Sequence, residues 1–455
     1  MIATPRDRPA TSFSRSAAVA LLCVVLSACG DSTSTAPSEP TPPPGRWLGA
    51  ERIDGEPPDF PGCNPPLAPV VAADASGGIV ASWLSGCRVW ASVTGRGQAW
   101  GRPAEIGIIL PNVAPSWIWE PTLAANSAGI ALVAWAAEDR TAGRQLFSRL
   151  YRPPGWFVVQ RFDGGEAQQL ASPYAAALAL DGAGSGLSVW DSGGVVAARR
   201  LASLTTDAWQ APRRLAPQPS SAPRVFLDAA GRGFATWSSS GDAFAQRFEP
   251  ESGWSETTRF APDVGWSFVG SGEVAFDTSG QALLVWQRNQ GSTQVSSVWS
   301  AAYTAGRWSA LGPISANGGR AVSPHVGIDS SGRGISAWSD PFGPVHARYE
   351  SGAWTAPLVV TSAPGMGPTA LAVSAGGHAI VAWKETDAAT GRSRVAAARY
   401  AGGAWGARES LQASSNPPNH PAAAIDPCGN AVAVWSELEA GRIRVWANRY
   451  ETACP

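Results

Sequence analysis

The stretch Asp329-Ser-Ser-Gly332-Arg-Gly-Ile-Ser-Ala-Trp338 contains a frame that recurs eight times along the chain: Asp, two residues, Gly, five residues and Trp. The spacing is the same in every copy, and only the first position varies, with Asn126 in one copy and Ser374 in another. The eight tryptophans are Trp83, Trp135, Trp190, Trp237, Trp286, Trp338, Trp383 and Trp435. They recur about every 50 residues, a period that is typical of solenoids and β-propellers.

Each copy of the frame lies within four short segments that are rich in β-forming residues. In the sixth copy these are residues 324–328, the segment that ends at Trp338, residues 345–349, and the segment that begins at Gly352-Ala-Trp354. Turn residues separate the segments and no stretch has a helical period, so the pattern predicts four antiparallel strands per repeat. Asp and Gly form the first turn, because Asp can bond the turn backbone and Gly adopts the left-handed conformation.

The two ends of the repeat region predict a closed ring. The last repeat ends after Tyr450 without a fourth-strand tryptophan, whereas Gly45-Arg-Trp47 matches that missing strand at the other end. A linear solenoid has no need of such a split, while a propeller hides its sheet edges by closing a ring. We therefore expect an all-β, eight-bladed β-propeller of one domain, residues 45–455, with four antiparallel strands per blade and closed by the N-terminal strand.

The first residues have the features of a secretion signal. Arg6, Arg8 and Arg15 precede a short apolar run, residues 16–26, which is too short to span a bilayer as a helix. The run ends in Leu-Ser-Ala-Cys29, which resembles the bacterial lipobox, in which the cysteine is lipidated and becomes the mature N-terminus. The alternative is an ordinary cleavage site followed by a chance cysteine.

The lipobox resemblance implies a signal peptide, residues 1–28, and a lipid anchor on Cys29 that attaches the protein to a membrane. Residues 29–44 are rich in Pro, Ser and Thr, a composition that is typical of an extended tether. Gly30, where Asp would favour the inner membrane, implies an outer-membrane lipoprotein that faces the periplasm or the cell surface. The formal net charge is −1 and no basic cluster is present, so we expect no nucleic-acid partner.

Four further cysteines are available for disulfides in an exported chain. Cys63 in an inter-blade link and Cys87 in a second turn would share one face of the propeller. Cys428 in a first turn and Cys454 after a third strand would share the opposite face. We therefore predict Cys63–Cys87 and Cys428–Cys454, in the two blades at which the ring closes.

Three consecutive blades carry a polar residue where the other first strands have a neutral one. Four residues before the Asp of the frame, these blades have Arg224, Glu273 and His325. The strand direction places all three at the channel mouth on the inter-blade-link face. A charged trio at a channel mouth is a candidate ligand or acid–base site. The alternative is an ionic cluster whose members only satisfy one another at a wet pore.

Two further residues are candidate ligand contacts. Asp340 belongs to a second-turn loop on the same face, and Trp266 lies in an inter-blade link where the repeat requires no aromatic residue. Packing between blades better explains the eight frame tryptophans and the eight of the fourth strands, which are Trp47, Trp100, Trp156, Trp209, Trp254, Trp308, Trp354 and Trp405. No two histidines have zinc-ligand spacing, and Asp-x-x-Gly supplies too few oxygens for calcium, so we expect neither a metal nor a cofactor.

The blade pattern over residues 45–455 resembles that of the sialidase-like and NHL-like propeller superfamilies of bacterial envelope proteins. The sialidase Arg-Ile-Pro start and Ser-x-Asp-x-Gly-x-Thr-Trp boxes are absent from the sequence. The leading hypothesis is therefore a lipid-anchored module that binds a glycan or an envelope protein. The alternatives are a glycosidase or polysaccharide lyase that uses Arg224, Glu273, His325 and Asp340, and a scaffold for envelope assembly.

Overall fold

A computed structural model shows that the described residues form eight antiparallel β-sheets and no helix that could cross a membrane. The structure describes residues 45–55, 69–86, 88–107, 121–139, 143–163, 176–192, 195–201, 209–216, 220–260, 266–291, 293, 295–316, 319–362, 369–387, 389–412 and 414–454. The predicted signal peptide 1–28, the lipidated Cys29, the tether 29–44 and the predicted pair Cys63–Cys87 lie outside these residues.

The first four blades are contiguous in sequence, after a first strand, β1 (Arg46–Arg52), that belongs to the last blade. Blade 1 contains β2 (Val70–Ala73), β3 (Ile79–Ser85), β4 (Arg88–Thr94) and β5 (Ala104–Gly107). Blade 2 contains β6 (Thr122–Ala125), β7 (Ala131–Asp139), β8 (Gly143–Arg152), β9 (Gly155–Trp156) and β10 (Gln160–Arg161). Blade 3 contains β11 (Ala177–Leu180), β12 (Gly186–Ser192), β13 (Val195–Leu201) and β14 (Arg213–Arg214). Blade 4 contains β15 (Ser221–Leu227), β16 (Gly233–Ser239), β17 (Asp242–Glu249) and β18 (Gly253–Phe260).

The other four blades follow the same plan, and the outermost strand of blades 6 and 7, as of blade 2, is divided into two short pieces. Blade 5 contains β19 (Trp266–Phe276), β20 (Ala282–Gln290), β21 (Ser296–Thr304) and β22 (Arg307–Pro313). Blade 6 contains β23 (Val322–Ile328), β24 (Gly334–Asp340), β25 (Gly343–Glu350), β26 (Ala353–Trp354) and β27 (Leu358–Val359). Blade 7 contains β28 (Thr369–Val373), β29 (Ala379–Thr386), β30 (Ser393–Ala401), β31 (Ala404–Trp405) and β32 (Glu409–Ser410). Blade 8 contains β33 (Pro418–Ile425), β34 (Ala431–Glu439) and β35 (Arg442–Glu451), with β1 outermost.

The ring closes as the sequence predicts. Strand β1 pairs antiparallel with β35, with Trp47 opposite Tyr450 and Arg52 opposite Trp446. The innermost strand of each blade contacts that of the next, and β33 of blade 8 contacts β2 of blade 1. The predicted disulfide Cys428–Cys454 is confirmed. The chain is therefore an eight-bladed β-propeller whose N-terminal strand completes the last blade.

The repeated Asp and Gly join neighbouring blades as well as forming a turn. Asp74 Oδ1 accepts hydrogen bonds from the backbone N–H groups of Ser76 and Gly78, both at 2.8 Å. A Cβ atom on Gly129 of the next blade would lie 2.7 Å from Asp74 Oδ2, and Gly129 has a φ of +77°. Glycine is therefore required both for the left-handed turn and for the approach of the neighbouring carboxylate.

The frame tryptophans fill the space between sheets. All eight are buried, with at most 3% of their surface exposed. Trp237 of blade 4 packs with Leu187, Val189 and Val196 of blade 3 in one apolar cluster. The predicted packing role of these residues is confirmed, and it explains why the spacing of the frame does not vary.

Candidate functional site

Arg224, Glu273 and His325 occupy equivalent positions on three neighbouring innermost strands, β15, β19 and β23. Each pairs with the residue that directly precedes the frame tryptophan: Arg224 with Thr236, Glu273 with Val285, His325 with Ala337. The other five blades place small or neutral residues at this register: Val70, Thr122, Ala177, Ala370 and Ala422. One side of the channel mouth is therefore polar at this level, and the remainder is neutral.

The three side chains contact one another. Arg224 Nη1 donates a hydrogen bond of 2.5 Å to Glu273 Oε1, and His325 Nδ1 lies 3.0 Å from each oxygen of the same carboxylate. The Glu273 side chain is 15% exposed, between His325 at 25% and Arg224 at 47%. The trio is an ordered ionic cluster that nevertheless remains accessible to solvent, and its two cationic members flank one central carboxylate.

The electrostatics of the trio keep Glu273 ionised. Burial by itself raises the pKa of Glu273, but the charges of His325 and Arg224, together with hydrogen bonds from both, outweigh burial and lower the pKa to about 2. Glu273 is thus a hydrogen-bond acceptor and not a proton donor near neutral pH. Its contact with His325 Nδ1 fixes the orientation of the imidazole ring.

The backbone is irregular immediately before each member of the trio. The strand register shifts between Ser221 and Arg224, between Val269 and Glu273, and between Val322 and His325. The left-handed positions in these bulges are Ala222, Gly270 and Ser323, with φ values of 50°, 73° and 52°. Strand β33 has a similar shift before Ala422, so the bulge itself is not specific to the trio. The left-handed Ala and Ser are unusual for residues with a side chain, and a bulge redirects the side chains that follow it.

Asp340 lies apart from the trio, in a cavity at the second-turn end of blades 5 and 6. The cavity has a volume of about 510 Å³, and its polar lining includes Gln287, Asn289, Ser296, Arg320 and Asp340. None of the trio lines it. Val322, which does, precedes His325 by three residues, so the two are at most about 10 Å apart along β23. The cavity and the trio are therefore neighbours at one end of the channel.

Trp266 is the first residue of β19, where it pairs with Gln290 at the second-turn end of β20. The sequence predicts that Trp266 lies in a link between blades, whereas β19 extends back to include it. Its backbone therefore lies beside the strand that supplies Gln287 and Asn289 to the cavity.

Several residues in or next to the cavity, Gln287 and Asn289 among them, were not identified from the sequence. Ser296 and Arg320 line the cavity, and Phe342 follows Asp340 in the second turn of blade 6 with 74% of its surface exposed. Phe342 donates its backbone N–H to Asp340 Oδ1 at 3.2 Å. The signal that singled out Trp266, an aromatic residue in a loop where the repeat needs none, also applies to Phe342.

Other acidic residues on this face have structural contacts. Trp383 Nε1 donates to Glu385 at 3.1 Å, and Trp435 Nε1 donates to Glu437 at 2.7 Å. Both carboxylates follow the frame tryptophan by two residues, as Asp340 follows Trp338. Within the part of the chain that the structure describes, no group of three or more His, Cys, Asp or Glu side chains is placed to hold a metal ion.

No protein-family model matches the chain, and no curated protein matches it. Among solved structures, it is similar to an ulvan lyase of polysaccharide lyase family PL25 bound to -[GlcA(1-4)Rha3S]-, with 10% identity, a TM-score of 0.49, and coverage of 88% of this chain and 95% of that one. It is also similar to a lectin of Aleuria aurantia in complex with a fucosylated sugar, with 12% identity, a TM-score of 0.37, and coverage of 73% of this chain and 94% of that one. A subtype N10 neuraminidase-like protein of A/little yellow-shouldered bat/Guatemala/060/2010 has 8% identity, a TM-score of 0.39, and coverage of 75% of this chain and 95% of that one. At these TM-scores the similarities carry no argument about function.

Proposed function

We propose that the protein is a glycan-binding module of the bacterial cell envelope, with its ligand at the channel mouth around Arg224, Glu273 and His325. The observation that supports this most is the convergence of the three side chains from neighbouring strands while all three stay partly exposed. A guanidinium donor beside a carboxylate acceptor matches sugar hydroxyl groups, which donate and accept. Because the trio is already ordered, binding costs little side-chain entropy.

The proposed location follows from the N-terminal sequence. A lipid on Cys29 would anchor the chain in the outer membrane, and residues 29–44 would hold the propeller away from the bilayer. Envelope polysaccharides, at the periplasmic or the outer surface, would then be within reach of the channel mouth. An envelope protein is the other class of partner, and a scaffold that binds only protein would not need the trio.

The contact between His325 Nδ1 and Glu273 favours one enzymatic alternative, a polysaccharide lyase. A carboxylate on Nδ1 orients imidazole so that Nε2 can act as a general base, and Arg224 could neutralise a uronate carboxylate. Hydrolysis is less well supported, because a glycosidase needs a carboxylic acid of raised pKa, whereas the pKa of Glu273 is lowered to about 2.

The test is an array of glycans and envelope polymers, probed with the full chain carrying Cys29→Ser so that no lipid is attached. The comparison is a triple variant, Arg224→Ala, Glu273→Ala and His325→Ala. The matched control is Arg348→Ala with Glu350→Ala, which removes a partly exposed ion pair of blade 6 from another part of the surface. We expect binding that the control retains and the triple variant loses.

Two results would contradict the proposal. Binding that survives in the triple variant would place the glycan elsewhere, and absence of binding by either protein would favour a protein partner. Bound polymers are also incubated with the protein and followed by ultraviolet absorbance. An unsaturated uronate product that disappears with His325→Ala would establish the lyase.

A further inference from the structure

The cavity between blades 5 and 6 has the dimensions of a small-molecule site. Its volume of about 510 Å³ is within the range of such pockets, roughly 300–1,000 Å³. The ends of β20, β21, β23 and β24 supply most of its lining residues, whereas Arg320 lies just before β23. A site built on strands positions a ligand more precisely than one built on loops.

The cavity wall includes a buried hydroxyl that lacks a protein partner. Ser296 is 4% exposed, and among the described residues its Oγ has no hydrogen-bond partner. Its neighbours differ: Ser297 Oγ accepts from Trp299 Nε1 at 2.9 Å, and Ser315 Oγ accepts from the Val298 N–H at 2.9 Å. The hydroxyls of Ser188 and Ser300 also lack a partner, but Ser296 lines the cavity, and a rotation about its Cα–Cβ bond would bring the hydroxyl to a ligand group.

Two opposite charges line the same cavity without pairing. Among the described residues neither Arg320 nor Asp340 forms an ion pair, and Asp340 accepts only the Phe342 N–H. A ligand with one net charge would be attracted by one of these groups and repelled by the other. A sugar hydroxyl, in contrast, can donate to the carboxylate and accept from the guanidinium.

Asp340 differs from its equivalents in the next two blades. Glu385 and Glu437, at the same position of the frame, are buried and bonded to the indole N–H of their blade's tryptophan. Asp340 is half-buried and borders the cavity instead. The carboxylate of blade 6 is therefore available for a role that those of blades 7 and 8 cannot take.

A hydrogen-bond chain fixes one amide of the wall and links it to the trio. Gln287 Nε2 donates to Asn289 Oδ1 at 2.8 Å, and Gln287 Oε1 accepts from the Ser323 N–H at 3.1 Å. Asn289 is thereby oriented with its NH2 group as the remaining donor. Ser323 is the left-handed residue two positions before His325, so the same chain holds the bulge that directs His325.

An exposed aromatic residue, Phe342, directly follows Pro341 of the cavity lining. Phe342 is 74% exposed and is the second residue after Asp340. An exposed aromatic ring beside convergent polar groups is typical of a binding surface rather than a core. The C–H faces of a pyranose can pack on such a ring while its hydroxyl groups reach the cavity wall.

We propose that this cavity is a subsite for one uncharged sugar residue, bound by Ser296, Asn289, Arg320 and Asp340 and packed on Phe342. The inference rests on the proposed glycan-binding function and names the class of sugar. Val322 of the cavity and His325 of the trio are at most about 10 Å apart along β23, a separation that two or three linked sugar residues could bridge. One oligosaccharide could then occupy both places.

The test measures dissociation constants of the full chain with neutral oligosaccharides of glucose, galactose, mannose and N-acetylglucosamine, and with uronate-bearing and sulfated counterparts. We expect a neutral ligand whose binding weakens at least tenfold in Asp340→Ala and in Phe342→Ala. Ser296→Ala should also weaken binding while leaving the thermal midpoint unchanged or higher, because it removes an unsatisfied hydroxyl. That combination separates a loss of binding from a loss of folding. Leu438→Ala, at an exposed apolar residue of blade 8, is the control and should bind normally.

Each other outcome overturns a defined part of the reasoning. Glycan binding that the trio variant loses and the cavity variants keep would reject the subsite and leave the proposed function intact. Binding restricted to uronate-bearing or sulfated ligands would reject an uncharged sugar. Absence of binding to every oligosaccharide would reject both the subsite and the proposed function.

Discussion

Replacement of Glu273 by Gln tests the ionic cluster at the channel mouth through its effect on stability. The pKa of Glu273 is lowered from 4.5 to about 2 in the folded state, so between these values the unfolded chain binds more protons. The stabilisation is therefore complete above pH 4.5 and is lost as the pH falls towards 2. The full shift corresponds to about 3 kcal/mol. Arg224 is 47% exposed, and solvent screening reduces the expected contribution to about 1–2 kcal/mol.

The assay is urea unfolding, followed by tryptophan fluorescence, at several pH values between 3 and 7. Glu273→Gln should lower the free energy of unfolding by about 1–2 kcal/mol at pH 7. The difference from the unsubstituted protein should shrink steadily below pH 4.5. The control, Glu350→Gln, removes an exposed carboxylate with one arginine partner and should change stability by less than about 0.5 kcal/mol. A difference for Glu273→Gln that is as large at pH 3 as at pH 7 would refute the electrostatic reasoning.

Three further predictions concern the fold. Burial raises the pKa of Asp54 to about 6, so between pH 3.8 and 6 the folded protein holds a proton that the unfolded chain has lost. The free energy of unfolding should therefore fall by up to about 3 kcal/mol between pH 4 and 7. Asp54→Asn should remove that pH dependence in the same assay. Gly129→Ala should cost about 1–3 kcal/mol, because alanine would adopt a φ of +77° and meet Asp74 Oδ2 at 2.7 Å; an unchanged urea midpoint would contradict this. Cys428→Ser with Cys454→Ser should cost about 3 kcal/mol for a cross-link of separation 26, and a thermal midpoint equal to that of the disulfide-bonded protein would oppose it.

The fold could be predicted because the repeat constrains the sequence in the same way in every blade. A frame tryptophan such as Trp237 must fill the space between sheets, and Gly129 must admit the carboxylate of Asp74, so neither position nor spacing can drift. The incomplete last repeat and Trp47 predicted closure by β1, which the pairing of Trp47 with Tyr450 confirms.

Only part of the candidate site could be predicted from the sequence. Equivalent spacing predicted that Arg224, Glu273 and His325 would lie at one level of the channel, because register on innermost strands follows the frame. Asp340 was predicted to lie on the same face as the trio, but its distance from the trio depends on how far each strand extends past the channel mouth. That length is set by loops that the repeat does not constrain.

The cavity itself could not be predicted. Ser296 begins β21 of blade 5 and Arg320 lies just before β23 of blade 6, and only the packing of the two blades brings them to one wall. The left-handed conformations of Ala222 and Ser323 could not be predicted either, because neither residue is the glycine that usually indicates such a backbone.

The histidine ring spectrum gives the most direct test of glycan binding at the trio. The chain has four histidines, so the ring signals of a protein labelled with 15N-histidine can be resolved, and His325→Gln assigns the one of interest. Addition of the oligosaccharide with the strongest array signal should shift the His325 resonances and leave those of His378, beside the first turn of blade 8, unchanged. A saturating ligand that leaves the His325 resonances in place would contradict binding at the channel mouth.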